Sequence, residues 1–400
     1  MNNNVRCLSR TEEDIPSFPI SQNSRWFRQV FFPDAGEEEW NNWKWQLRNR
    51  IVSPGALKKI LPLHPGEEEL FGKRDTMFPF SITPYFLSLI KGESDGLRKT
   101  VIPVREELEI SPDDMIDPLA EHDDTAAPGL VHRYPDRVLF LVTDFCSTYC
   151  RYCTRSRLVG KQTVLRRRNR WNRGISYIAS HPEVRDVLLS GGDPLTLDDE
   201  DIEWLLSRLR AIPHVEVIRI GTKVPAVLPM RITNSLTDIL KRYHPLWMSI
   251  HFSHPDECTE ETAGACGRLA DAGIPLGSQT VLLKGVNDQT KTLTRLFQQC
   301  MKMRVRPYYL YQCDPVRGTS HFRTPVERGL ELIEEIRGFT SGYAVPAYVV
   351  DAPGGGGKIP LLTDHIAGRT EGKLLLKNYE NKVFSYPDPE GNIVNCRMEK

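Results

Sequence analysis

The feature that most constrains this chain is a change of rhythm near residue 136. From there, short apolar, β-rich runs alternate with longer helical stretches. The runs cover 137–143, 186–190, 215–220, 246–252, 277–283 and 305–311, and the helical stretches between them cover 169–180, 199–210, 232–243, 258–272, 289–303 and 325–337. A strand followed by a helix and another buried strand implies parallel pairing, because parallel neighbours need a crossover of a dozen or so residues. Six such units predict an α/β protein with an open, partial (β/α)6 barrel in place of a full eight-fold one. A further β-like run, 343–351, ends at Pro353 and four glycines. Residues 1–135 lack the alternation and read as a helical and irregular N-terminal extension. The barrel core then spans 136–340, and 341–400 forms a small C-terminal segment.

Charge and hydropathy exclude several classes. The formal net charge is zero, so no nucleic-acid partner is expected. The local run Arg166, Arg167, Arg168, Arg170 and Arg173 reads as a solvated helix face. No long uninterrupted apolar stretch predicts a membrane span, and no basic-then-apolar leader is present, so a cytoplasmic protein is expected. In a reducing compartment, cysteines packed as tightly as Cys146, Cys150 and Cys153 point to metal, not disulfides.

These three thiolates can each hold one iron of a four-iron cluster and leave the fourth iron open to chelate a small molecule. The competing reading is a structural zinc knot, with His132 the nearest upstream candidate for a fourth ligand. Polar residues follow strand after strand at the C-terminal end. Gly191, Gly192 and Asp193 follow the second, and His251, Gln279 and Asp314 lie near the ends of the fourth, fifth and sixth. In a parallel barrel these converge on one rim. Taken alone, Gly191-Gly192-Asp193 is a turn, and His251 or Gln279 a rim hydrogen bonder. The stretch Asp351-Ala-Pro-Gly-Gly-Gly-Gly-Lys358 fails as a phosphate loop: Ala352 stands where its first glycine belongs, and Ile359 where Ser or Thr is needed. It reads either as a flexible linker or as a loop presenting the Lys358 amine to an aldehyde cofactor.

The Cys146-x3-Cys150-x2-Cys153 pattern resembles the radical S-adenosylmethionine superfamily. Together with the Lys358 stretch it resembles the lysine 2,3-aminomutase family, from about residue 30 to about 385. Supporting stretches are Pro128–Arg137, Cys150–Arg155, Arg306–Asp314, His321–Pro325 and Thr340–Pro346. The resemblance implies a [4Fe-4S] cluster on Cys146, Cys150 and Cys153, with S-adenosyl-L-methionine at Gly191, Gly192, Asp193, His251 and Gln279. It implies pyridoxal 5'-phosphate on Lys358, held by Arg133, Tyr134 and Arg137. It also implies a basic amino acid gripped by Arg155 at its carboxylate and by Asp314 and Asp351 at its far end. The implied reaction is 2,3-amino migration between L-lysine and β-lysine, with arginine or another basic amino acid as the alternative substrate and a non-catalytic metal-binding module as the rival class. An electron donor such as flavodoxin or ferredoxin and a homo-oligomeric assembly are implied too. One departure is clear. Some members bind zinc through a cysteine where Gln289 stands here and through several tail cysteines, of which only Cys396 remains. No structural zinc is expected.

Overall fold

The computed structural model describes residues 22–71, 79–90, 92, 96–160, 167–370 and 372–388. Cys7, Arg166, the side chain of Arg167 and Cys396 fall outside them.

Ten strands form one sheet in chain order: β1 (Thr125–Ala127), β2 (Leu130–Tyr134), β3 (Arg137–Thr143), β4 (Asp186–Gly191), β5 (Val217–Thr222), β6 (Leu246–His251), β7 (Leu276–Leu282), β8 (Arg306–Gln312), β9 (Ala347–Ala352) and β10 (Gly357–Leu361). Pairing is parallel from β3 through β9. The crossovers carry helices Arg167–Ala179, Asp199–Arg210, Asn234–Leu240, Glu260–Asp271, Thr290–Lys302 and Val326–Ile336. The sheet thus holds the six expected strands plus a seventh parallel one, because the 343–351 run pairs onto β8. The sheet also continues across both expected domain boundaries, since β1 and β2 join β3 and since β9 and β10 follow β8.

The period of two along each strand sorts the side chains. Val187, Leu189, Ile218 and Ile220 are buried toward the helices, while Asp186, Leu188, Ser190, Arg219 and Gly221 line the inner face. Helix Arg167–Ala179 packs on β3 through Trp171, whose indole donates to Val142 O at 2.9 Å. Two of its basic residues have structural work. Arg168 pairs with Asp201 at 2.6 Å and lies 4.5 Å over the Trp204 ring, and Arg170 donates to Leu141 O.

The two ends of the sheet come together without forming a ladder. The N–H of Lys358 on β10 donates to the Tyr134 hydroxyl on β2 at 3.0 Å, and Gly354 N–H donates to Pro118 O at 3.0 Å. These contacts curl the sheet around an interior.

The N-terminal extension packs into the same hydrophobic core. Its residues 37–50 form two helices, Glu37–Trp40 and Trp43–Arg48, because the Asn42 side chain caps the second through Lys44 N–H and Trp45 N–H. The Thr83 hydroxyl donates to Val227 O at 2.7 Å, and the Tyr85 hydroxyl meets Thr259 Oγ1 at 2.6 Å, tying the extension to the barrel. Beyond the barrel, β11 (Ile366–Thr370), β12 (Lys373–Lys377) and β13 (Val383–Pro387) form a separate antiparallel sheet. Among the described residues no helix is long and apolar enough to cross a membrane.

Candidate active site

One cavity of about 620 Å³ fills the curled sheet. All the candidate side chains line it: Cys146, Cys150, Cys153 and Arg155 from the loop after β3; Gly191, Gly192 and Asp193 after β4; His251 and Gln279 on β6 and β7; Asp314 and Asp351 after β8 and on β9. Arg133, Tyr134 and Arg137 enter from β2 and β3, and Lys358 from β10. The volume is in the range of small-molecule sites, roughly 300–1,000 Å³.

The three cysteines are half-buried residues of one loop. Burial pushes all three thiols up, with mutual repulsion adding at Cys146 and Cys153, and Cys153 rises to about 11. At Cys150 the Lys223 ammonium opposes that rise. A thiol loses its proton when it ligates a metal, so metal binding at these three would release protons. No three His, Cys, Asp or Glu side chains among the described residues gather around a single ion position. Zinc needs all its donors about 2.0–2.3 Å from one point, whereas a four-iron cluster puts each thiolate on a different iron. His132, the candidate fourth zinc ligand, instead contacts the Tyr177 hydroxyl at 3.0 Å.

The turn after β4 supports the cysteine loop through its backbone. Gly191 has φ +124°, and a Cβ there would lie 2.1 Å from Thr143 O, so no other residue fits. Asp193 is buried and saturated. Its Oδ1 accepts from Leu195 N–H at 3.1 Å and the Thr222 hydroxyl at 2.7 Å, and its Oδ2 accepts from Lys223 N–H at 2.7 Å and Val224 N–H at 3.2 Å. The carboxylate ties its own turn to the end of β5 and has little capacity left for a ligand. His251 is held neutral: burial, then Lys223 and Arg155, push it down to about 3. Gln279 donates to the Tyr311 hydroxyl at 3.2 Å.

On the opposite side of the cavity, Lys358 sits on β10, directly across the ladder from Asp351, and not on a free loop. Its Nζ donates to Asp351 Oδ2 at 2.8 Å and lies 5.8 Å from the Tyr311 ring. Asp351 Oδ1 is buried with no hydrogen-bond partner among the described residues. Burial, then repulsion from Asp351, raises Asp314 to about 7. Arg155 forks onto Glu121, with Nε at 2.9 Å and NH2 at 2.6 Å from Oε1, while NH1 reaches Ser190 Oγ at 3.5 Å. Arg133 is engaged by Asp124 at 2.7 Å and by Leu119 O. Arg137 stacks 4.0 Å over the Tyr134 ring and makes a long 3.5 Å contact to Asp136.

Comparison with known proteins decides the family. Residues 140–297 match the model of the radical SAM superfamily, and residues 333–399 match the lysine-2,3-aminomutase model. The L-lysine 2,3-aminomutase of Fusobacterium nucleatum is 51% identical over 91% of this chain and 86% of its own length. That of Acetoanaerobium sticklandii is 51% identical over 92% and 90%. The glutamate 2,3-aminomutase of Clostridioides difficile is 44% identical over 88% and 84%. The chain belongs to the lysine 2,3-aminomutase family. It is therefore an isomerase of the radical S-adenosylmethionine type, with a [4Fe-4S] cluster, S-adenosylmethionine and pyridoxal phosphate as cofactors.

The residues present fit these groups. Three inward thiols open on one cavity, as the cluster requires. Lys358 and the guanidinium of Arg137 line the same cavity and both contact Tyr134, which suits an aldehyde cofactor carrying a phosphate. The turn before Lys358 also approaches closely: Gly355 lies against the Arg133 guanidinium, and a Cβ at Gly357 would meet the Tyr134 hydroxyl at 2.9 Å. The fold also brings to the site residues that no sequence motif marks. Glu121 lies in the acidic stretch 117–124 of the extension, where no periodicity marks it, yet it holds Arg155 and also accepts from Arg157 at 3.2 Å. Lys223 and Glu257 form a buried pair at 2.5 Å behind the cysteine loop, and Tyr311 lies between Gln279 and Lys358. The His251–Pro255 stretch resolves into two tasks: His251 faces the cavity, while His254 Nδ1 caps Asp256 N–H at 3.3 Å.

Proposed function

We propose that this protein interconverts L-lysine and β-lysine by moving the amino group between C2 and C3. The observation that carries the substrate class is the acidic pair Asp314 and Asp351. The two carboxyls repel each other within the cavity, and one oxygen of Asp351 is buried with no hydrogen-bond partner among the described residues. Such a pair is costly unless a cation lies between them. Lys358 neutralises part of it in the free chain. Once Lys358 is engaged by the aldehyde cofactor, the substrate's distal ammonium takes over that role.

The other residues follow from their chemistry. Cys146, Cys150 and Cys153 hold the cluster. Arg137, with Arg133 and Tyr134, holds the phosphate of the Lys358-bound cofactor. Gly191 and Gly192 bring the β4 turn close to the cluster loop, Asp193 fixes that turn, and His251 and Gln279 offer neutral hydrogen-bonding groups to S-adenosylmethionine. When bound, the cofactors supply hydrogen abstraction and a π-system that stabilises amino migration. The protein fixes the substrate at both ends, through Arg155 at the carboxylate and through Asp314 and Asp351 at the ammonium, so that the C2–C3 bond is held at one place. Leu139, Leu188 and Val281 give the same cavity apolar walls. A one-electron donor such as flavodoxin or ferredoxin, a homo-oligomeric state and a cytoplasmic location complete the reading.

The test is anaerobic turnover with reductant, S-adenosylmethionine and pyridoxal phosphate on lysine, arginine, glutamate and alanine. β-Lysine as the dominant product is expected. Preference for glutamate or arginine would overturn the substrate assignment.

A further inference from the structure

The N-terminal extension is fastened to the cysteine loop at successive residues. Tyr149 N–H donates to Ser81 O at 2.9 Å, and Arg151 N–H to Thr100 O at 2.8 Å. The Ser81 hydroxyl donates to Ser147 O at 3.3 Å, and Thr83 N–H to Thr148 Oγ1 at 3.3 Å. Most of these contacts are neutral and fix position only.

Arg50 brings a charge as well. Its NH1 donates to Cys146 O at 3.3 Å and to Ser81 Oγ at 3.2 Å, and its Nε donates to Leu47 O at 2.8 Å. The guanidinium lies 4.4 Å from the Phe145 ring centroid and hydrogen-bonds with the Tyr149 side chain. The next residue is locked in place by the antiparallel Ile51–Ile82 bridge. The side chain is half-buried and touches Phe145, Cys146 and Tyr149, so it is pinned at the first cysteine of the loop. A charge held there is screened less than one in open solvent. An iron–sulfur cluster becomes more negative on reduction, and nearby charge and hydrogen bonding set how readily it accepts the electron.

We propose that Arg50 is a positioning residue for the cluster. Its guanidinium holds the Cys146 end of the loop and places a fixed positive charge there that favours the reduced state. This rests on the reading of Cys146 as a cluster ligand.

The test compares Arg50→Met and Arg50→Lys with the unaltered holoenzyme, without substrate or S-adenosylmethionine. Iron and sulfide per chain are measured, and the midpoint potential is read by dithionite titration followed by electron paramagnetic resonance. Arg50→Met is expected to keep its cluster with a midpoint shifted to more negative potential, and Arg50→Lys to return it toward that of the unaltered protein. Loss of the cluster in Arg50→Met with retention in Arg50→Lys also supports the role. An unshifted midpoint in Arg50→Met, a midpoint shifted equally in both variants, or cluster loss in both, overturns it. Cys146→Ala is assayed separately for iron. A full cluster in that variant would overturn the ligand reading itself, independently of the Arg50 result.

Discussion

Lys358 and Asp351 are cross-strand neighbours, and the lysine ammonium rests on the aspartate carboxylate at 2.8 Å. The hairpin that pairs them puts the cofactor-binding amine and one end of the substrate site in a single register. Any change in where Lys358 points therefore changes what Asp351 must neutralise. The four glycines between them make the tight reversal that this register needs. Three of these, Gly354, Gly355 and Gly357, have φ +74°, +88° and +78°.

Borohydride reduction of the holoenzyme should trap pyridoxal phosphate on Lys358, and Lys358→Ala should lose the adduct together with turnover. Peptide mapping checks this. Label on another lysine, with Lys358 unmodified, would sink the assignment.

Serine at Cys146, Cys150 or Cys153 should each lower bound iron and abolish the broad visible absorbance, because each thiolate holds a different iron. Iron analysis of the anaerobically reconstituted variants decides it. A variant with full iron and full activity would remove that cysteine from the ligand set.

Asp193→Asn separates a structural knot from a ligand contact. The carboxamide would turn an N–H2 group toward donors that the carboxylate now accepts from, at a cost of about 2 kcal/mol or more. Thermal unfolding of the cofactor-free protein should show a lower Tm. Unchanged stability with weakened S-adenosylmethionine binding would mean that the aspartate serves the ligand directly.

Much of this architecture could be read from the chain because parallel strands between helices leave a strong periodic trace. The run 137–143 coincides with β3, and the cysteine spacing names its own chemistry. What the sequence concealed depends on contacts distant in the chain. Glu121 meets Arg155 across 34 residues, and the Tyr134 hydroxyl meets Lys358 across 224. No local period announces either. The seventh parallel strand was visible as an apolar run, but its partner was not, since pairing register is a tertiary property. Asp193 lay in a conspicuous turn, yet only the fold reveals that its acceptor capacity is already filled.

Asp314 gives a pH signature in the cofactor-free protein. Its folded pKa of about 7 stands above the ordinary 3.8. The folded state therefore binds more protons than the unfolded state between these values. The stability contributed by protonated Asp314 is present below about pH 4 and is lost as pH rises through 7, by up to about 4 kcal/mol. Asp314→Asn should flatten that decline in urea unfolding measured from pH 4 to 8. An equal slope in both proteins would contradict the raised value.

Substrate class is tested by neutralising the acidic pair. If Asp314 and Asp351 clamp a distal ammonium, Asn at either position removes a charge-assisted hydrogen bond worth roughly 1.5–3 kcal/mol, so kcat/KM for lysine should fall about ten- to a hundred-fold or more. The ammonium left under-compensated in a dry cavity adds to the loss. Alanine, which has no distal charge, should lose little. Arg155→Ala should behave differently. It should weaken lysine, arginine and alanine alike, because all three present the same carboxylate to the guanidinium that Glu121 holds in place. If both aspartates only maintained the fold, the Asn variants would unfold or lose every substrate equally. Steady-state kinetics on folded Asp314→Asn and Asp351→Asn proteins distinguishes the cases, and a lysine-over-alanine preference that survives both changes refutes the basic-substrate reading.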